Sequence, residues 1–150
     1  MRGLFLSVLL IFAVPFQEPA QEEIRMMFWN VENYFDPFDD EKTNDEDFVY
    51  GGRYGWSWKR FLRKRNAIAK VIASSAEELG GWPDLVGLCE VENRMVLRQL
   101  VKQTPLVRLE YDMVHYDSPD VRGIDVALLY RKERFRVLRS RAVEVSLPDS

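Results

Sequence analysis

Two short apolar runs in this chain end on residues that can hold a hard cation. Ile24 to Asn30 (Ile-Arg-Met-Met-Phe-Trp-Asn) closes on an amide, and Leu85 to Cys89 closes on the carboxylate of Glu90. Runs of this length read as buried strands of an open sheet. In such sheets functional side chains gather just beyond the carboxyl ends of neighbouring strands. If the two strands are neighbours in one β-α-β unit, an amide oxygen and a carboxylate stand side by side. Both are hard ligands, suited to Mg²⁺ that keeps several waters until a phosphate arrives. The chemistry implied is phosphoryl transfer to water. Spacing alone leaves a structural alternative open, in which Asn30 closes a turn and Glu90 caps the next helix.

Three other groups compete for attention. His115 is the single histidine. It sits between Val114 and Tyr116 on a predicted strand, where a positioning role competes with direct proton transfer. Asp36 to Asp47 collects seven carboxylates against Lys42, but lacks the glycine and the terminal glutamate spacing of an EF-hand loop, so a solvated loop is expected there. Lys59, Arg60, Arg63, Lys64 and Arg65, with Trp56 and Trp58 beside them, have the composition of a polyanion-steering patch. The solvated face of an amphipathic helix explains the same residues, with Trp58 in the apolar stripe and Arg65 turned inward toward a carboxylate.

The elements that must position these groups follow from periodicity and punctuation. Ser57 is a candidate N-cap, and Trp58, Phe61, Leu62, Ile68, Ala69, Ile72 and Leu79 recur near helical spacing until Gly80-Gly81. A second helix is predicted from Asn93 to Gln103, stopped by Thr104-Pro105. Glu110 to Tyr116 and Ile124 to Tyr130 read as strands joined by Asp117-Ser118-Pro119-Asp120, with a further strand over Arg134 to Leu147. Strand, helix, strand, helix and then several strands indicate an α/β or mixed α+β sheet.

Composition sets the outer bounds. With 47% hydrophobic and 30% charged residues, the chain has the profile of one folded domain. A net charge of −3 excludes a nucleic-acid binder that relies on a general basic field. Cys89 is the single cysteine, so no internal disulfide forms, and a buried, inert thiol is expected. Met1-Arg2 followed by Gly3 to Phe16, with Ser7 alone polar, predicts a signal peptide over 1–20 and a domain over 21–150. An uncleaved N-terminal anchor is the alternative. The expected location is therefore secreted or periplasmic, without stable membrane association after cleavage.

Three motifs carry a family resemblance: Trp-Asn-Val-Glu-Asn at 29–33, Pro-Asp-Leu-Val-Gly-Leu-Cys-Glu-Val-Glu-Asn at 83–93, and Arg-Gly-Ile-Asp-Val-Ala-Leu-Leu-Tyr at 122–130. In this order they closely resemble the endonuclease/exonuclease/phosphatase superfamily, whose fold is that of pancreatic deoxyribonuclease, and especially its secreted bacterial nuclease-like branch. The resemblance implies the N-terminal half of a four-layer α/β sandwich. It also implies Mg²⁺-dependent hydrolysis of phosphate esters, with Mn²⁺ or Ca²⁺ as alternative ions. Asn30 matches the family asparagine that arranges the metal and phosphate site, and Glu90 matches the metal-binding glutamate. Arg122 is a candidate for phosphate contact and Asp125 for orienting the site, an ion pair between these two being the competing reading. His115 matches at most an assisting second histidine.

The family's principal histidine lies near its C-terminus, after an aspartate-plus-asparagine motif, and neither occurs before Ser150. The resemblance thus implies a chain truncated at its C-terminus, inactive alone and prone to aggregate through unpaired strand edges. The full-length protein is expected to be a monomeric secreted endonuclease or phosphodiesterase acting on nucleic acid. A non-catalytic secreted binding module retaining part of the metal site, or a phosphatase or sphingomyelinase-like member, stand as alternatives.

Overall fold

The computed structural model describes residues 23–143, so the predicted signal segment lies outside the described residues. In chain order the elements are β1 (Met26–Tyr34), α1 (Trp58–Glu78), β2 (Leu85–Val91), α2 (Arg94–Lys102), β3 (Tyr111–His115) and β4 (Asp125–Arg131). Short 3₁₀ turns occur at Glu46–Phe48 and Pro105–Leu109. The architecture is mixed α/β, as the order of elements in the sequence implied.

The strands form one sheet in the order β1-β2-β4-β3. β1 and β2 are parallel and are joined through α1, while β4 runs antiparallel to both β2 and β3. It follows that β1, β2 and β3 point the same way. Their carboxyl ends and the start of β4 therefore share one end of the sheet, which is where α/β sheets place their chemistry.

Both helices pack on one face of the sheet. Phe61, Ile68, Ala69 and Ile72 of α1 and Val96, Leu97, Leu100 and Val101 of α2 meet Val31, Tyr34, Val86, Leu88 and Leu129 in a single core. Each fully buried aliphatic or aromatic side chain of this kind contributes about 1.5–3 kcal/mol. The opposite face is apolar but open: Met26 is 63% exposed, Phe28 73% and Val126 63%. No helix among the described residues is long and apolar enough to cross a membrane.

The helix ends match their sequence signals. Ser57 Oγ accepts from Arg60 N at 3.4 Å at the start of α1. At its end Gly80 takes φ +67°, which lets the Gly81 N–H reach back to the Ala76 carbonyl at 2.8 Å. Removing the cap with Ser57→Ala is expected to lower stability by ~1 kcal/mol in urea unfolding. An unchanged midpoint would show that this long hydrogen bond contributes nothing.

One expectation is corrected and a second is refined. The strand predicted from Arg134 does not form over 134–143, the part of it that is described. Both sides of β4 are already paired, with β2 and β3, and the N–H groups of Arg134 and Phe135 turn back onto the Arg131 carbonyl at 3.1 and 2.9 Å. The acidic segment is a largely exposed loop, as expected, with Asp39, Asp40, Glu41 and Glu46 at the surface, but it is pinned inward at two points. Asp36 and Asp45 are buried. Asn44 N donates to Val121 O at 2.6 Å, Trp56 Nε1 donates to Phe35 O at 2.9 Å, and Phe35 stacks on Phe48 at 4.3 Å. Aromatic residues flanking the segment, Phe35, Phe48 and Trp56, pack together and hold its ends, while Asn44 ties its middle to the turn before β4. Gly123 in that turn has φ +68°, and a Cβ there would lie 2.9 Å from Thr43, so the Arg-Gly pair of the third motif needs its glycine.

Candidate metal and phosphate site

Asn30 and Glu90 converge. The Asn30 Nδ2 donates to Glu90 Oε1 at 2.8 Å, and the Asn33 backbone N–H donates to Glu90 Oε2 at 3.0 Å. Strict strand alternation would send Glu90 to the face opposite its neighbour Cys89, which pairs in register with Asn30. An irregularity in both strands removes that obstacle: the β1–β2 register shifts between Asn30 and Tyr34, and the β2–β4 register shifts between Cys89 and Val91. Glu32, Asn33 and Glu90 take φ of 56°, 63° and 59°. Left-handed backbone at non-glycine residues is costly and collects where function needs it. Here it is concentrated around one carboxylate.

Both structural alternatives can now be judged. Asn30 does close a turn, since its Oδ1 accepts from Glu32 N at 2.8 Å, but its other end holds Glu90. Glu90 does not cap α2. Asn93 does, accepting from Met95 N and Val96 N at 2.8 and 3.0 Å.

His115 and Asp125 reach the same end of the sheet from β3 and β4. Asp125 pairs across the ladder with Val91, next to Glu90. The His115 ring Nε2 lies 2.8 Å from Asp125 Oδ2, and each side chain is 4% exposed. Ser118 N donates to the other Asp125 oxygen at 2.7 Å. The anticipated Arg122–Asp125 ion pair is absent. Arg122 instead holds Asp120, through contacts of 2.7 and 3.1 Å, because the turn folds these two residues onto each other in solvent. That pairing draws the Asp120 carboxyl down to about 2 and raises Arg122, whose charge also acts on Glu90.

Lys64 is a site residue that the sequence reading grouped only with its basic neighbours. Burial lowers its pKa, against the raising effect of Glu32 and Glu90. The signal was present, since Phe61, Lys64 and Ile68 follow helical spacing along the packed side of α1. Arg65 does not meet a carboxylate: it donates to Gln99 Oε1 and Asn66 Oδ1 at 3.0–3.1 Å. Cys89 is half-buried rather than buried, and burial together with Glu90 pushes its thiol up. Glu92, held by Asp36 N at 2.6 Å, is pushed up to about 8 by burial and by Asp36, Asp45 and Asp40.

Two groups could hold a metal. Glu90 offers two carboxylate oxygens, each with one lone pair left after its hydrogen bond. Among the described residues, His115, Asp117 and Asp125 are the group whose ligand atoms all lie within 4.8 Å of one another. The Endonuclease/Exonuclease/phosphatase family pattern matches residues 25–150. The chain belongs to this family. No curated protein and no solved structure matches it. The endonuclease/exonuclease/phosphatase family consists of metal-dependent hydrolases that act on phosphate esters, nucleic acids among them. The three matching motifs lie on β1, β2 and β4, three adjacent strands of one sheet.

Proposed function

We propose that this chain provides the metal side of a secreted endonuclease or phosphodiesterase site, in which Glu90 holds Mg²⁺ and Asn30 completes the cradle. The observation that carries the reading is the double anchoring of the Glu90 carboxylate by Asn30 Nδ2 and Asn33 N. A carboxylate fixed at the sheet's carboxyl end, with lone pairs free, fits a hard ion that keeps part of its water shell. When bound, such an ion neutralises charge building on the phosphoryl and leaving oxygens.

The protein groups divide the remaining work. Asn30 fixes the direction of Glu90, so the ligand is already placed when charge develops. Arg122 is 62% exposed in its side chain and tied only to Asp120, a weak surface pair it can exchange for a phosphate oxygen. Asp125, 2.8 Å from His115 Nε2, fixes the orientation of the ring. Lys64 offsets the negative charge of Glu32 and Glu90 before substrate arrives. In this reading the 150 residues hold only part of the site, and the open apolar face carrying Met26, Phe28 and Val126 receives the second sheet of the family's sandwich.

The test is Mn²⁺ binding to the chain, followed by electron paramagnetic resonance with Mg²⁺ as competitor, together with an assay for phosphodiester cleavage. Binding that depends on Glu90 without robust turnover is expected. Robust turnover by these 150 residues would refute the partial-site reading. The second metal position, favoured by the close grouping at His115, predicts that Asp117→Asn and not Glu90→Gln abolishes Mn²⁺ binding.

A further inference from the structure

Because α1 joins two parallel strands, it runs back along β1, and its first turns lie at the end of the sheet where Glu90 stands. Two contacts fix its register. Near its start the Phe61 ring stacks on Tyr34 with centroids 5.6 Å apart, and near its end the Ser75 hydroxyl donates to the Met27 sulfur at 3.5 Å. At ~1.5 Å per helical residue and ~3.3 Å per strand residue, the helix and strand between these contacts are nearly equal in length. Lys64, one turn beyond Phe61 on the packed stripe, therefore stands level with Glu32 and Asn33. Those residues have the left-handed backbone that brings the Asn33 N–H to Glu90 Oε2 at 3.0 Å.

Lys64 is half-buried there, yet it forms no ion pair among the described residues. An ammonium partly stripped of water and left without a contact partner is costly. Its basic neighbours avoid that cost: Lys59, Arg60 and Arg63 are exposed, and Arg65 is held by Gln99 and Asn66. Lys64 is the member of this cluster whose charge acts on Glu32 and Glu90 without being bonded to either. Arg122 brings a second positive charge to bear on Glu90, from the turn before β4. A metal ligand flanked by cations from two separate elements suits a substrate with negative charge on more than one oxygen.

We propose that Lys64 binds a non-bridging oxygen of the substrate phosphate held at Glu90, an assignment that rests on the Glu90 metal site. Its rotatable donors and flexible stem let the ammonium turn from the carboxylates to the phosphate once an ion has neutralised them. Charge-assisted bonds of this kind are among the strongest a phosphate receives. Lys64 then acts on the two ligands with opposite sign. It repels the metal ion in the empty crevice, and it attracts the phosphate that follows.

The Mn²⁺ affinity of the whole chain is measured by electron paramagnetic resonance, and the Mn²⁺-loaded chain is titrated with thymidine monophosphate by calorimetry. Lys64→Met is expected to bind Mn²⁺ ~3-fold or more tightly, because a like charge has gone. The same variant is expected to bind the nucleotide at least ~10-fold more weakly, because a charged hydrogen bond has been lost. Lys64→Gln gives the same opposed pair should Lys64→Met not fold. A fall in both affinities together marks a structural lysine and overturns the proposal, as does failure of both variants to fold. Unchanged nucleotide affinity, or no nucleotide binding by the parent at millimolar concentration, overturns it as well while leaving Glu90 as the metal ligand. Mn²⁺ binding that survives Glu90→Gln is the separate result that removes the metal site, and the role of Lys64 with it.

Discussion

Replacing Glu90 by glutamine is expected to weaken Mn²⁺ binding at the crevice by ~100-fold or more while leaving the fold intact. Glutamine keeps the size of the side chain and one acceptor oxygen, so the hydrogen bond from Asn30 or from Asn33 N survives. What is lost is the negative charge, the property a hard dication requires. Asn30→Ala should cost less, ~10–100-fold, because it removes an orienting partner and leaves the ligand itself in place. Asn30→Asp separates the two roles: it preserves shape but sets a second carboxylate 2.8 Å from the first, where repulsion turns Glu90 out of the cradle. Competition between Mn²⁺ and Mg²⁺ in wild type and the three variants gives the order. Equal affinities for wild type and Glu90→Gln would remove Glu90 from the metal site.

Asp84→Ala is expected to be the most destabilising single change, by ~3–5 kcal/mol. Asp84 is fully buried at the end of the sheet opposite Glu90. Its Oδ2 accepts from Arg25 N at 3.0 Å, and its Oδ1 faces the guanidinium groups of Arg131 and Arg134 at 3.5 and 3.6 Å. Its backbone N–H and carbonyl add bonds to Arg25 O and from Arg131 N. One side chain thus clasps the start of β1, the start of β2 and the end of β4. Truncation leaves the Arg25 N–H without its acceptor and leaves the Arg131 guanidinium, only 18% exposed in its side chain, with Glu133 as its remaining partner. For a domain of this size the loss corresponds to a fall in unfolding midpoint of roughly 10 °C. Asp84→Asn should fall between, since it keeps an acceptor and loses the charge. A midpoint within 2–3 °C of wild type for Asp84→Ala, a shift of about 1 kcal/mol, would show that water replaces the clasp.

The second motif therefore holds two acids with different duties: Asp84 ties the sheet together at one end, and Glu90 presents a ligand at the other. Sequence reading found Glu90, because a carboxylate ending an apolar run is conspicuous. It passed over Asp84, because an aspartate after Pro83 looks like ordinary loop chemistry until its distant partners are visible.

Local interactions made much of this protein legible from its residues alone. Cap, periodicity and glycine stop defined α1, and short apolar runs defined four strands, because hydrogen bonds and burial patterns of near neighbours decide those features. The family motifs marked Asn30, Glu90 and Asp125 for a related reason: each stands on or beside a short apolar run, although β1 continues past Asn30 to Tyr34. Only the tertiary structure decided how side chains pair across strands. Asp125 took His115 and left Arg122 to Asp120, and Lys64, not Arg65, came under the influence of Glu90. It also buried Asp36 and Asp45 of the acidic segment, beside aromatic contacts that no charge count reveals. Those outcomes depend on register, on the two bulges beside Glu90, and on which strand sides were already occupied. All are settled by contacts between residues far apart in the chain, whose geometry the order of amino acids does not display.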